Sequence, residues 1–101
     1  MTIDPDRELV YIINNETKEM DLTGWRLTSR GGKPATYFFP AGYRLAPSAI
    51  ARVHTYGGVD SAGDVYWGLN GSDRIWEERG DTASLLDASG HMVSTFTYAR
   101  W

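Results

Sequence analysis

Short apolar runs with a two-residue period, each broken by Gly, Pro, Asn or Asp, recur along the chain and predict strands rather than helices. Glu8-Leu9-Val10-Tyr11-Ile12-Ile13 is rich in β-branched and aromatic residues and stops at the turn signal Asn14-Asn15. Trp25-Arg26-Leu27-Thr28 alternates, so Trp25 and Leu27 face one way, and Gly31-Gly32 ends the run. Thr36-Tyr37-Phe38-Phe39 meets Pro40, which lacks the N–H that a strand ladder needs. Ala49-Ile50-Ala51-Arg52-Val53-His54 follows and is ended by Gly57-Gly58. Val59 to Gly80 reads as loop and holds Trp67 and Trp76. Thr82-Ala83-Ser84-Leu85-Leu86 then turns through Asp87-Ala88-Ser89-Gly90 into Met92-Val93-Ser94-Thr95-Phe96-Thr97-Tyr98. That pair predicts a hairpin with Gly90 in the left-handed conformation.

Many short strands closely spaced by turns predict an all-β fold, an antiparallel β-sandwich of about 7–9 short strands. The alternation assigns Val10, Ile12, Trp25, Leu27, Phe39, Val53, Leu85 and Phe96 to its core. Trp25 is expected to be the largest single contributor, burying on the order of 200 Å². Trp67 and Trp76 have two readings: a hydrophobic plug over one end, or an exposed aromatic pair that stacks on sugar rings or grips a peptide. Trp101 is expected to be exposed or loosely docked. Residues 1–7, with Asp4-Pro5-Asp6, read as a tail or linker, and 8–101 as the domain.

Composition narrows the class. A chain of 101 residues makes one domain with a modest core. The lack of cysteine excludes a disulfide framework, a thiolate metal site and a cysteine nucleophile. No apolar run approaches the roughly 18 residues of a membrane helix, and the polar start Met1-Thr2-Ile3-Asp4-Pro5-Asp6-Arg7 offers no apolar stretch that would act as a signal peptide. As it stands the chain is therefore expected in the cytoplasm, or outside the cell if it is excised from a longer protein. Net charge is −3, unevenly placed. Leu22 to Val59 contains no acid but holds Arg26, Arg30, Lys33, Arg44 and Arg52, between two segments rich in carboxylates. This basic middle is either a docking surface for an anionic partner or one side of sheets in which basic and acidic strands cancel.

Asp21-Leu22-Thr23-Gly24-Trp25-Arg26-Leu27, followed by Tyr37-Phe38-Phe39-Pro40-Ala41-Gly42, resembles the lamin-tail domain, an immunoglobulin-like fold. Val53-His54-Thr55, Asp64-Val65-Tyr66-Trp67-Gly68, Ile75-Trp76 and Gly80-Asp81-Thr82-Ala83-Ser84-Leu85-Leu86-Asp87 resemble its bacterial branch. The order holds from Glu8 to Tyr98. The resemblance implies an immunoglobulin-like sandwich that is non-enzymatic and acts in recognition or tethering. It carries over neither filament nor nuclear envelope, because nothing here supplies a coiled-coil rod. Three positions depart from the bacterial pattern: Tyr11, where relatives tend to be polar, and Glu77-Glu78, where they tend to carry Asn-Asn.

With Val10 and Ile12 facing inward, Leu9, Tyr11 and Ile13 face outward together, a candidate contact patch for a protein partner or for self-association unless a terminal segment covers it. The alternative is a nucleic-acid surface built from Arg26, Arg30, Lys33, Arg44 and Arg52 with interleaved tyrosines, which opposes the acidic pI of about 5.2. A Ser–His–Asp set is conceivable from His54 and Asp81, but no Gly-x-Ser-x-Gly elbow supports it. Calcium is conceivable at Asp60, Asp64, Asp73, Glu77, Glu78 and Asp81, without the spacing of a helix–loop–helix site. No cofactor, resident metal, small-molecule substrate or membrane insertion is expected.

Overall fold

A computed structural model describes residues 1–30, 35–69 and 74–99. The described residues form ten strands: β1 (Thr2–Asp4), β2 (Leu9–Ile13), β3 (Met20–Asp21), β4 (Arg26–Ser29), β5 (Thr36–Phe38), β6 (Arg44–Leu45), β7 (Ile50–Tyr56), β8 (Asp64–Leu69), β9 (Gly80–Leu86) and β10 (Met92–Ala99). No helix occurs among the described residues, and so none is long and apolar enough to cross a membrane. One sheet runs β1-β2-β7-β8, a second runs β10-β9-β4-β5, and β3 pairs with β6. This is the expected all-β, immunoglobulin-like sandwich. The strands beyond the expected number are short, β3 and β6 having two residues each.

Alternation dictates what fills the space between the sheets. In the first sheet Ile3, Val10, Val53 and Val65 lie in one row across four strands, with Ile12 beside Ala51 in the next. From the second sheet Leu27 stands between Tyr37 and Leu85. All of these are buried, and each fully buried aliphatic side chain contributes about 1.5–3 kcal/mol. Leu22, Phe39, Tyr43 and Leu45 extend the core from the β3–β6 region, where Phe39 stacks on Tyr43 with centroids 5.9 Å apart. Of the expected core, Val10, Ile12, Leu27, Phe39, Val53 and Leu85 are buried.

Trp25 and Phe96 correct that expectation. Both pack against the core but are only partly buried, and the fully enclosed indole is that of Trp76. Trp25 precedes β4, and Phe96 lies on the terminal strand of its sheet, so each lacks neighbours on one side. Trp76 is instead drawn into the interior from a loop and meets Trp67 edge-on, with centroids 6.2 Å apart. The plug reading of this pair therefore describes Trp76.

Two further expectations change. Residues 1–7 are no free tail, since Thr2–Asp4 pairs with β2 and buries Ile3. One pairing is parallel, that of β7 with β8, because residues 57–63 carry the chain back beside β7 before β8 begins. The hairpin between β9 and β10 is as expected, with Gly90 at φ 88°. The strand end at Gly31-Gly32, like Lys33, Asp73 and Trp101, lies outside the described residues.

Candidate functional site

Strand register builds the outer face of the β1-β2-β7-β8 sheet from rows of opposed residues. Thr2, Tyr11, Arg52 and Asp64 form one row, and Asp4, Leu9, His54 and Tyr66 the next. Ile13 stands opposite Ile50 on the other side of Tyr11. The face therefore changes character along the strands. At one end Ile13 and Ile50 are 42% and 45% exposed, and with Met1, Thr2 and Tyr11 they line an open cavity of about 320 Å³. Apolar side chains left this accessible on a rigid sheet gain by being covered.

Charge organises the other end. The Asp64 carboxylate lies 2.8 Å from His54 Nε2 and 3.6 Å from Arg52 Nε. The His54 ring stacks on Tyr66 with centroids 4.4 Å apart and planes at 17°. Gly58 makes room for this stack, since a Cβ there would sit 2.4 Å from the Tyr66 ring. Asp60 fixes the loop by accepting the Tyr66 backbone N–H at 3.0 Å.

Of the three residues expected on this face, Tyr11 is half-buried and Ile13 is exposed, but Leu9 is only 8% exposed. Leu9 sits mid-sheet between Asp4 and His54, so the open apolar surface is Tyr11, Ile13 and Ile50. Ile50 carried no outward signal, because its side of β7 becomes defined only by register against β2.

The basic residues do not gather on one surface. Arg44 lies 3.2 Å from Glu19 and 3.9 Å from Asp21, and Arg52 is held by Asp64. Arg26 belongs to the other sheet, with its guanidinium 5.8 Å from the centre of the exposed Phe38 ring. Arg30 follows β4, and its backbone N–H donates to Asp81. Arg44 and Arg52 thus pair with carboxylates of adjacent strands, Asp21 on β3 and Asp64 on β8.

Nor does the conceivable catalytic set assemble. His54 faces Asp64, whereas Asp81 accepts backbone N–H groups from Arg30, Glu77 and Thr82. Among the described residues no three histidine or acidic groups converge to hold a metal ion. The buried acid Glu8 has an architectural role that local sequence did not announce. Its carboxylate accepts the backbone N–H of Ile75 at 2.6 Å and of Trp76 at 3.2 Å, with Arg74 Nη2 3.6 Å away.

Comparison with known proteins agrees with this architecture. A family model described as Lamin Tail Domain matches residues 2–100. A search of curated proteins returns no match.

Proposed function

This chain belongs to the lamin tail domain family, and from that premise we propose that it is a non-enzymatic module that docks another protein through the outer face of its β1-β2-β7-β8 sheet. The family is immunoglobulin-like, non-catalytic and generally engaged in protein interactions. The reading rests on one observation: Tyr11, Ile13 and Ile50 form an accessible apolar patch around a cavity, bordered by the Arg52–Asp64–His54 cluster. An apolar centre with a charged border suits protein recognition, the first supplying affinity and the second orientation. The two sheets act as a rigid scaffold, so docking needs little reordering of the chain.

The immobilised domain is expected to retain a partner protein from its source that Tyr11→Glu and Ile13→Glu release while still folding. Retention by both variants equal to the parent would refute the reading. The nucleic-acid alternative predicts a gel shift of DNA at low ionic strength that weakens in Arg26→Ala with Arg30→Ala. The pairing of Arg44 and Arg52 with carboxylates leaves that alternative with less free charge.

A further inference from the structure

We propose that the outer face of the β10-β9-β4-β5 sheet binds an acidic polysaccharide, a chain of carboxylate-bearing sugar rings. This goes beyond protein docking by the other sheet and uses the opposite side of the sandwich. Leu27, Tyr37, Ala83 and Leu85 turn inward and are buried, so their strand neighbours turn outward. Register sorts those neighbours into rows of unlike chemistry. Phe38, Arg26, Leu86 and Met92 stand side by side across all four strands. The next row is Thr36, Thr28, Ser84 and Thr95, and beyond it Thr82 faces Thr97. Arg30 follows β4 and, with Thr82, lines an open cavity of about 270 Å³ at the end of these rows.

Each row answers one part of such a ligand. Phe38 is 61% exposed and offers its ring to the C–H face of a sugar, whose hydrogens carry the partial positive charge that an aromatic face attracts. The hydroxyl rows suit sugar O–H groups. Thr95 donates to the Ala83 carbonyl at 3.1 Å, which leaves its lone pairs to accept. Thr82 and Thr97 share one hydrogen bond at 2.9 Å, so one of their two protons remains to donate. The cations meet the acid groups. Among the described residues no carboxylate lies within ion-pair distance of Arg26 or Arg30, whereas Arg44 and Arg52 are paired. Asp81 at the cavity is buried, and its carboxylate accepts backbone N–H groups. Arg26 is held by packing: its Nε is buried without a hydrogen-bond partner, and its guanidinium lies 5.8 Å from the centre of the Phe38 ring. A cation held this way loses little freedom on binding, and its fork matches the two oxygens of a carboxylate. Arg30 lies four residues further on, about 13 Å at strand spacing, so a ligand that meets both is a chain rather than a single ring. Two free cations supply little of the phosphate neutralisation on which nucleic-acid affinity depends, while the hydroxyl rows match a ligand rich in hydroxyls.

NMR titration of the whole chain with a short oligomer of galacturonic acid reads both affinity and place. Amide shifts are expected on β4, β5, β9 and β10, saturating with a Kd of about 1 mM, as suits a few surface contacts. The methyl ester of the same oligomer lacks the charge and should bind about ten-fold more weakly, as should Arg30→Ala. Phe38→Ser should weaken binding several-fold. Arg30 and Phe38 are both exposed, so neither change disturbs the core. Tyr11→Glu should bind the oligomer as the parent does, which separates this result from the fate of the protein-docking reading. Absence of shifts at about 10 mM oligomer overturns the proposal, as do equal affinity for the ester or shifts confined to β1, β2, β7 and β8. Parent-like binding by both Arg30→Ala and Phe38→Ser overturns it too. A DNA duplex that binds this face more tightly than the oligomer at the same ionic strength would overturn it in favour of nucleic acid.

Discussion

Glu8 accepts the backbone N–H of Trp76 at 3.2 Å, although 68 residues separate them in the chain. The same carboxylate takes the Ile75 N–H, and Arg74 reaches back to the carbonyl of Pro5 at 2.8 Å. Glu8 is 3% exposed and holds a backbone φ of 53°, a conformation that costs a side-chain-bearing residue energy and persists only where surroundings enforce it. Its removal strands buried N–H groups. Glu8→Ala is expected to destabilise the domain by about 3 kcal/mol, and Glu8→Gln, which keeps an acceptor but not the charge, by about 1 kcal/mol. Urea unfolding curves of the three proteins measure both differences.

The two indoles predict unequal losses. Trp76 is fully enclosed, so Trp76→Ala should cost about 3–5 kcal/mol, at or beyond what so small a domain tolerates. Trp25→Ala, at a partly buried site, should cost less than half as much. Thermal melts rank them, and an equal or larger loss at Trp25 would contradict the packing described above.

Leu9 and Tyr11, on the same side of β2, should respond unequally to the same change. Tyr11 stands opposite Arg52, so Tyr11→Glu sets a carboxylate beside a guanidinium and should move stability by no more than about 0.5 kcal/mol. Leu9→Glu forces a charge into a covered site and should destabilise by several-fold more. Chemical denaturation distinguishes the two.

At the acid end of the pH range, Asp21 and Asp87 titrate below the ordinary value of 3.8. The Thr23 hydroxyl and then its N–H hold Asp21 down, and the backbone N–H of His91 is the main cause at Asp87. A lowered folded-state pKa favours folding above the unfolded value. That advantage should shrink as pH falls below 3.8 and be gone once pH has passed through the folded values. Carboxyl NMR titration should place both midpoints below 3.8.

At the alkaline end the sign reverses. Burial, then the negative charge of Asp60, pushes the Tyr37 phenol up to about 12, and burial also raises Tyr43. The folded state keeps its proton where the unfolded chain has lost it, so stability should fall as pH rises from 10 toward 12. Tyr37→Phe should flatten that decline, as measured by urea midpoints across the range.

What the sequence disclosed depended on how local the deciding contacts are. Strands were legible because one face of each is buried, which imprints a two-residue period on Leu9–Ile13 and Ile50–Tyr56. The family pattern from Asp21 to Asp87 was legible for a related reason: Asp21, Thr23, Gly24 and Gly42 close local turns, as when Asp21 accepts the Thr23 N–H. The identity of the buried indole was not legible, because Trp76 is drawn in by Glu8 from the far end of the chain. Periodicity also assigned Leu9 to the outer face without revealing that neighbours cover it. The basic window misled by proximity in sequence, since strand order sends Arg26 and Arg52 to different sheets.

The tie between Glu8 and the segment 74–76 also constrains the order of assembly. A contact between residues 67 apart closes a long loop and so belongs with the non-local contacts that slow folding. The residue just before β2 holds the segment 75–76, so Trp76 is shielded by a contact between distant parts of the chain. Fluorescence of that indole is therefore expected to follow closure of this long-range contact rather than the first local collapse.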